Sequence, residues 1–161
     1  MKSRILVVDD EESIREFLEI MLKKEGYEPT LAEDGEQALE LMKKKSFDMV
    51  ISDLQMPNIT GIELLQKIRE QDPNLLFMMI TAFGTTETAV EAMKLGAYDY
   101  ITKPFKIDEV RINIANALRS KNLEVENRAL KKELKQEYSF QNLVGNSDAM
   151  HRIYELIKRV S

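Results

Sequence analysis

An α/β fold is predicted: a five-stranded, doubly wound parallel sheet followed by a long helix at the carboxyl end. Three observations lead there. Short apolar runs that end abruptly in polar residues alternate with segments whose apolar residues recur at helical spacing. The links between them are short, and parallel neighbours need helical crossovers, so this strict alternation points to a parallel sheet. From Asp108 to Asn142 the chain has neither glycine nor proline, a length beyond what one face of such a sheet can cover.

Taken in order, Arg4 to Val8 (RILVV) is an apolar strand that stops in Asp9, Asp10, Glu11 and Glu12. Ser13 to Lys24 carries Ile14, Phe17, Leu18, Met21 and Leu22 on one helical face, and Gly26 stops it. Tyr27 to Leu31 is the second strand; Pro29 has no amide hydrogen for a ladder, which puts this strand near an edge. Asp34 caps a helix holding Ala38, Leu39, Leu41 and Met42, and Lys43, Lys44 and Lys45 set cations at its carbonyl end. Met49 to Ile51 lead into Asp53, after which Pro57 and Gly61 turn the chain away and leave that carboxylate facing solvent. A helix from Gly61 through Arg69 carries Ile62, Leu64, Leu65 and Ile68. Leu75 to Ile80 (LLFMMI) is a wholly apolar strand ending in Thr81. Thr85 to Leu95 is a helix whose apolar residues, Ala89, Val90, Ala92 and Met93, are few and small, so it is weakly anchored. Tyr98 to Thr102 is the fifth strand, broken by Lys103 and Pro104, and Ile107 opens the last helix.

Composition narrows the function. A chain of 161 residues has room for one ordinary domain and an appendage, and 43% hydrophobic with 32% charged residues is ordinary for a globular protein. No apolar run approaches the roughly 20 residues a membrane span needs. The opening MKSRILVVDDEE turns acidic too early for a secretory signal, so a cytoplasmic location without a membrane partner is expected. Without cysteine, and with His151 as the single histidine, a metal would have to be held by oxygen. A net charge of −5 argues against a nucleic-acid surface.

In open α/β sheets ligands bind outside the carboxyl ends of the strands. Here the first, third, fourth and fifth strands end in Asp9 and Asp10, Asp53, Thr81 and Lys103. Carboxylates gathered there repel one another unless a hard, oxygen-liking cation such as magnesium joins them. A lysine and a hydroxyl would serve phosphoryl oxygens, and an aspartate attacking phosphorus gives an aspartyl phosphate. Each residue has a plainer reading alone: an acidic first turn, a turn aspartate, a cap and a solvated lysine stem. Their placement at corresponding strand ends favours a joint site.

The segments VVDDEE, DLQMPNITG, TAFG and Y-x-x-KPF, in this order, resemble the receiver domain of bacterial two-component response regulators over about Ser3 to Ser120. The resemblance implies a flavodoxin-like sheet of strand order 2-1-3-4-5 and a switch, not an enzyme, that accepts a phosphoryl group from a sensor histidine kinase. By it, Asp53 is the phosphoacceptor, and Mg2+ is held by Asp10 with Asp9, Asp53 and the Gln55 carbonyl. Thr81 is the switch hydroxyl and Lys103 the phosphate-binding lysine, its bond to Pro104 cis. Tyr100 matches the aromatic that swings inward when Thr81 engages the phosphoryl group. Gln55 stands where asparagine is frequent, a departure that bears on phosphate lifetime rather than on ligation by a carbonyl. Two other classes fit less well. A hydrolase of haloacid-dehalogenase type would want an acid where Gln55 stands, and a flavin-binding module would want a Ser/Thr/Gly-rich phosphate loop where DDEE stands.

In the long helix Leu123 and Leu130 fall seven apart, as do Asn127 and Leu134, giving d and a positions of a short homodimeric coiled coil, the plainer alternative being a solitary solvated helix. The tail offers a turn at Gly145 and Asn146, a Ser147 cap and an amphipathic helix with Met150, Ile153, Ile157 and Val160. It resembles the opening of the central AAA+ ATPase domain of NtrC-type activators, which work with sigma-54 RNA polymerase. No GxxxxGK[ST] loop follows to cradle ATP phosphates. The expected division is therefore a receiver over 1–120, a coiled-coil linker over 121–139 and the truncated start of an ATPase domain over 140–161. Contacts with sigma-54 polymerase and DNA would fall to domains absent here.

Overall fold

A computed structural model describes residues 2–144, with side chains described through residue 135. Strands β1 (Arg4–Val8), β2 (Glu28–Ala32), β3 (Met49–Ser52), β4 (Leu76–Thr81) and β5 (Asp99–Thr102) alternate with helices α1 (Glu12–Lys24), α2 (Gly35–Lys44), α3 (Gly61–Gln71), α4 (Thr86–Lys94) and α5 (Ile107–Val144). All strand pairings are parallel, in the order β2-β1-β3-β4-β5, as the sequence leads one to expect.

Successive side chains of a strand point to opposite faces, and this builds two cores. Ile5 and Val7 of β1 join Leu18 and Leu22 of α1 and Val110, Ile114 and Ala117 of α5. Leu6 and Val8 join Ala38 of α2, Leu64, Leu65 and Ile68 of α3 and Ala92 of α4. With both faces covered, the inner strands can be apolar throughout. Strand β2 has β1 as its single neighbour, with Pro29 opposite Ile5, so the proline does sit at an edge. The strand begins at Glu28 rather than Tyr27.

Helix ends are set by local hydrogen bonds. Asp34 accepts from the Gln37 amide at 2.8 Å, as its position before α2 suggests. Thr60 accepts from Glu63 at 3.2 Å, and Thr85 with Thr88 forms a capping box on α4. Helix α4 buries Ala92 while Val90 and Met93 stay about half exposed, so its side chains hold it weakly. Its carboxyl end is held another way. Gly96, at φ +94°, closes the helix with bonds from Gly96 N to Met93 O (3.1 Å) and from Ala97 N to Ala92 O (3.0 Å). Across from it, Arg69 of α3 donates to Leu95 O (3.1 Å), Gly96 O (2.7 Å), Leu75 O (2.7 Å) and Asp72 O (3.2 Å).

Contacts divide the chain into two units, Met1–Leu118 and Arg119–Ser161. In the first, Val110, Ile114, Ala117 and Leu118 of α5 are buried. In the second, α5 continues with Leu123 at 58% and Leu130 at 55% exposure, Asn127 exposed and Leu134 half-buried. The expected turn at Gly145 and Asn146, the Ser147 cap and the helix with Met150, His151, Ile153, Ile157 and Val160 lie outside the described residues.

Candidate functional site

Register alone brings the acidic residues together. Val8 lies beside Ser52 in the ladder, so Asp9 and Asp53 emerge side by side, and the Asp53 amide donates to Val8 O at 2.9 Å. Carboxylate oxygens of Asp9, Asp10 and Asp53 lie within 4.8 Å of one another. Asp10 is exposed, whereas Asp9 and Asp53 retain 3% and 4% of their surface.

The burial of Asp53 corrects the expectation that it faces solvent. The following turn does not leave the sheet edge bare: Leu54, Met56 and Ile59 pack inward beside α3, and Gly61 N donates to Leu54 O at 2.7 Å. Gly61 has to be glycine for this approach, since a Cβ there would collide with the Asp53 carbonyl oxygen. The Asp53 carboxylate also accepts from the Leu54 amide at 2.7 Å.

Lys103 reaches in from the end of β5, where its amide donates to Thr81 O at 2.8 Å and its bond to Pro104 is cis. Its ammonium lies 3.2 Å from Asp9 Oδ2 and 3.3 Å from Asp53 Oδ2. Burial by itself would lower the Lys103 pKa, but the charges of Asp9 and Asp53 and the hydrogen bonds to both outweigh it, and the value is raised. Asp9 is raised as well, chiefly because it is buried; the Glu11 amide and Lys103 pull the other way, and the Asp53 charge adds to the rise. The site gathers three carboxylates against one ammonium. Its donors are oxygen only and two of its three carboxylates are buried, which suits a hard cation.

A cleft of about 500 Å³ opens beside these residues, lined by Asp10, Glu11, Asp53, Gln55 and Phe83 among others. Thr81 is fully buried, and its hydroxyl accepts from the Phe83 amide at 3.1 Å. Tyr100 is half-buried, with its hydroxyl 3.0 Å from Thr88 Oγ1 and its ring against Gly84, where a Cβ would overlap it.

Residues 5–115 match the response regulator receiver domain family. The chain belongs to that family. Regulatory protein AtoC of Escherichia coli (strain K12) is 35% identical over 148 residues, covering 92% of this chain and 32% of its own. Transcriptional regulatory protein ZraR of Klebsiella oxytoca is 41% identical over 71% of this chain and 26% of its own. The chain thus spans about a third or less of these curated relatives. Among solved structures, NtrX from Brucella abortus superposes with a TM-score of 0.76 at 35% identity, covering 86% of this chain and 34% of that one. A receiver domain protein from Clostridium thermocellum gives 0.71 at 32%, covering 75% and 98%.

Within this receiver domain, sequence reasoning missed contacts that only folding creates. Arg15 of α1 donates to the Asp9 carbonyl at 2.7 Å. Asp99 of β5 accepts from its neighbour Tyr100 N at 2.7 Å and from Asn113 Nδ2 of α5 at 2.6 Å, tying the last strand to the last helix. An arginine one turn into an acidic helix, and an asparagine on an amphipathic one, read as solvated residues until the partner segments are placed.

Proposed function

We propose that this receiver domain is a phosphorylation-driven switch in which Asp53 accepts a phosphoryl group from a sensor histidine kinase. The observation that carries the reading is the cluster of Asp9, Asp10 and Asp53 with Lys103 at the carboxyl edge of the sheet. Mg2+ would be held by Asp10 with Asp9, Asp53 and the Gln55 carbonyl, and when bound it offsets negative charge between carboxylate and phosphoryl oxygens. An Asp53 oxygen forms the bond to phosphorus while the bond to the kinase imidazole breaks, and the imidazole keeps the electron pair and takes up a proton. Lys103 then turns from a carboxylate partner to a partner of the phosphoryl oxygens, and Thr81 gives its hydroxyl to one of them. Thr81 precedes α4 and Tyr100 touches it through Thr88, so α4, with Ala92 as its buried anchor, responds first.

The output is a homodimer joined through Leu123, Asn127, Leu130 and Leu134, which controls the AAA+ ATPase of a sigma-54-dependent transcription activator in the cytoplasm. On this reading 121–139 is the linker and 140–161 the onset of the ATPase domain, and the chain turns over no nucleotide itself. Names of relatives as transcriptional regulatory proteins support the assignment. Treatment with acetyl phosphate should add one phosphoryl mass with Mg2+ and none with a chelator. Undiminished modification of Asp53→Asn by mass spectrometry would refute the assignment.

A further inference from the structure

The amino end of α1 carries a charge in an unfavourable place. Its N-cap, Glu11, makes no side-chain bond to the helix, and the fourth residue of α1 is a cation, Arg15, where the helix dipole favours anions. Arg15 therefore does little for the helix. Nor does it form a salt bridge among the described residues; its guanidinium gives Nη1 to the main-chain carbonyl of Asp9 at 2.7 Å.

That carbonyl belongs to the peptide joining Asp9 to Asp10, and a peptide is planar, so anchoring its oxygen fixes the plane from which Asp10 departs. Asp9 itself is gripped on every side. Its amide donates to Ala32 O at 3.2 Å, Oδ1 accepts from the Glu11 amide at 2.9 Å and Oδ2 faces Lys103 at 3.2 Å. Asp10 is exposed, and its carboxylate has no hydrogen bond or ion pair among the described residues. The backbone that carries it starts from the peptide that precedes it, whose plane sets where the Asp10 Cα stands. We propose that Arg15 is a positioning residue: by holding the Asp9 carbonyl it fixes the backbone from which the Asp10 carboxylate reaches the oxygens of Asp9 and Asp53, completing the cation site.

The inference rests on the cation site proposed above. Its test turns on two opposite effects. Removing the positive charge of Arg15 from beside an acidic cluster strengthens binding of a divalent cation by Coulomb attraction. Releasing the peptide weakens it, as loss of a group supporting metal ligands does, by about tenfold or more. Calorimetric titration of the full chain with Mg2+ should show Arg15→Gln binding about tenfold more weakly than the parent. Arg15→Lys, which keeps a charged donor on a stem long enough to reach the Asp9 carbonyl, should recover part of the loss. In metal-free Arg15→Gln the Asp10 and Glu11 amides should exchange faster while thermal unfolding in chelator stays cooperative. Binding in Arg15→Gln as tight as the parent's, or tighter, overturns the proposal. So does loss of cooperative unfolding, because Arg15 would then be supporting the fold rather than the loop. A parent chain that takes up no Mg2+ brings down the cation site itself, an outcome plainly different from a parent that binds and a variant that binds equally.

Discussion

Lys103 Nζ lies 3.3 Å from Asp53 Oδ2, although 50 positions separate them in the chain. The same ammonium faces Asp9, so one mostly buried cation holds two buried carboxylates from different strands. Lys103→Met should strand both, lowering stability to urea at pH 7 by about 3 kcal/mol. The pH dependence has a definite sign. Because the folded pKa of Lys103 is raised above 10.5, its contribution is fully present below that value and lost as pH rises through the folded one. The parent should show this alkaline loss and Lys103→Met should lack it.

The Asp9 carboxyl carries the same sign into the acid range. Its folded pKa stands above the ordinary 3.8, chiefly through burial, so ionised Asp9 destabilises the metal-free fold at neutral pH. That penalty is relieved as pH falls from the folded value toward 3.8. A bound cation needs the ionised form. Mg2+ affinity should therefore fall through the same acid window, and binding there should release protons. Calorimetry in two buffers of different ionisation heat measures the release; identical heats would count against it.

Gly61→Ala tests the close approach behind Asp53. The added Cβ would strike the Asp53 carbonyl oxygen and lie 2.7 Å from Met79 Sδ and 2.9 Å from Leu54 Cα. Backbone cannot yield as a flexible side chain does, so a loss of about 2 kcal/mol in urea unfolding is expected, with weakened Mg2+ binding.

The linker is tested by Leu123→Ala with Leu130→Ala. Both leucines are more than half exposed in the single chain, at 58% and 55%, which leaves them for a second copy to cover. Sedimentation equilibrium at micromolar concentration should give a dimer for the parent and a monomer for the double variant. A double variant as dimeric as the parent would place the interface elsewhere.

Sheet and helices are legible because buried parallel strands must be apolar and covering helices must keep one apolar face. The strand-end residues Asp9, Asp10, Asp53 and Lys103 are legible for a related reason, since parallel register carries strand ends to one edge. Strand limits are less so: whether Tyr27 or Glu28 opens β2 depends on ladder bonds that hydrophobicity does not record. The burial of Asp53 was misread because it depends on where Leu54, Met56 and Ile59 fold back, which turn residues such as Pro57 do not specify. Arg15 and Arg69 were passed over because their acceptors are main-chain carbonyls, present at every residue and silent in sequence.

Arg69 makes the two ends of α4 mechanically unlike. Its planar fork serves carbonyls at Leu95 and Gly96 as well as at the end of α3, and a lysine's single point charge would not span them. The opposite end is held through hydroxyls, Thr85, Thr88 and Tyr100, which exchange partners easily. If Thr81 is the switch hydroxyl proposed above, a push arriving there would meet a lever whose fulcrum is Gly96, and the arc it swept would be widest at Thr86. Amide exchange should be slow at Leu95, Gly96 and Ala97 and fast in the first turn of α4, and Arg69→Lys should erase that gradient by freeing the fulcrum.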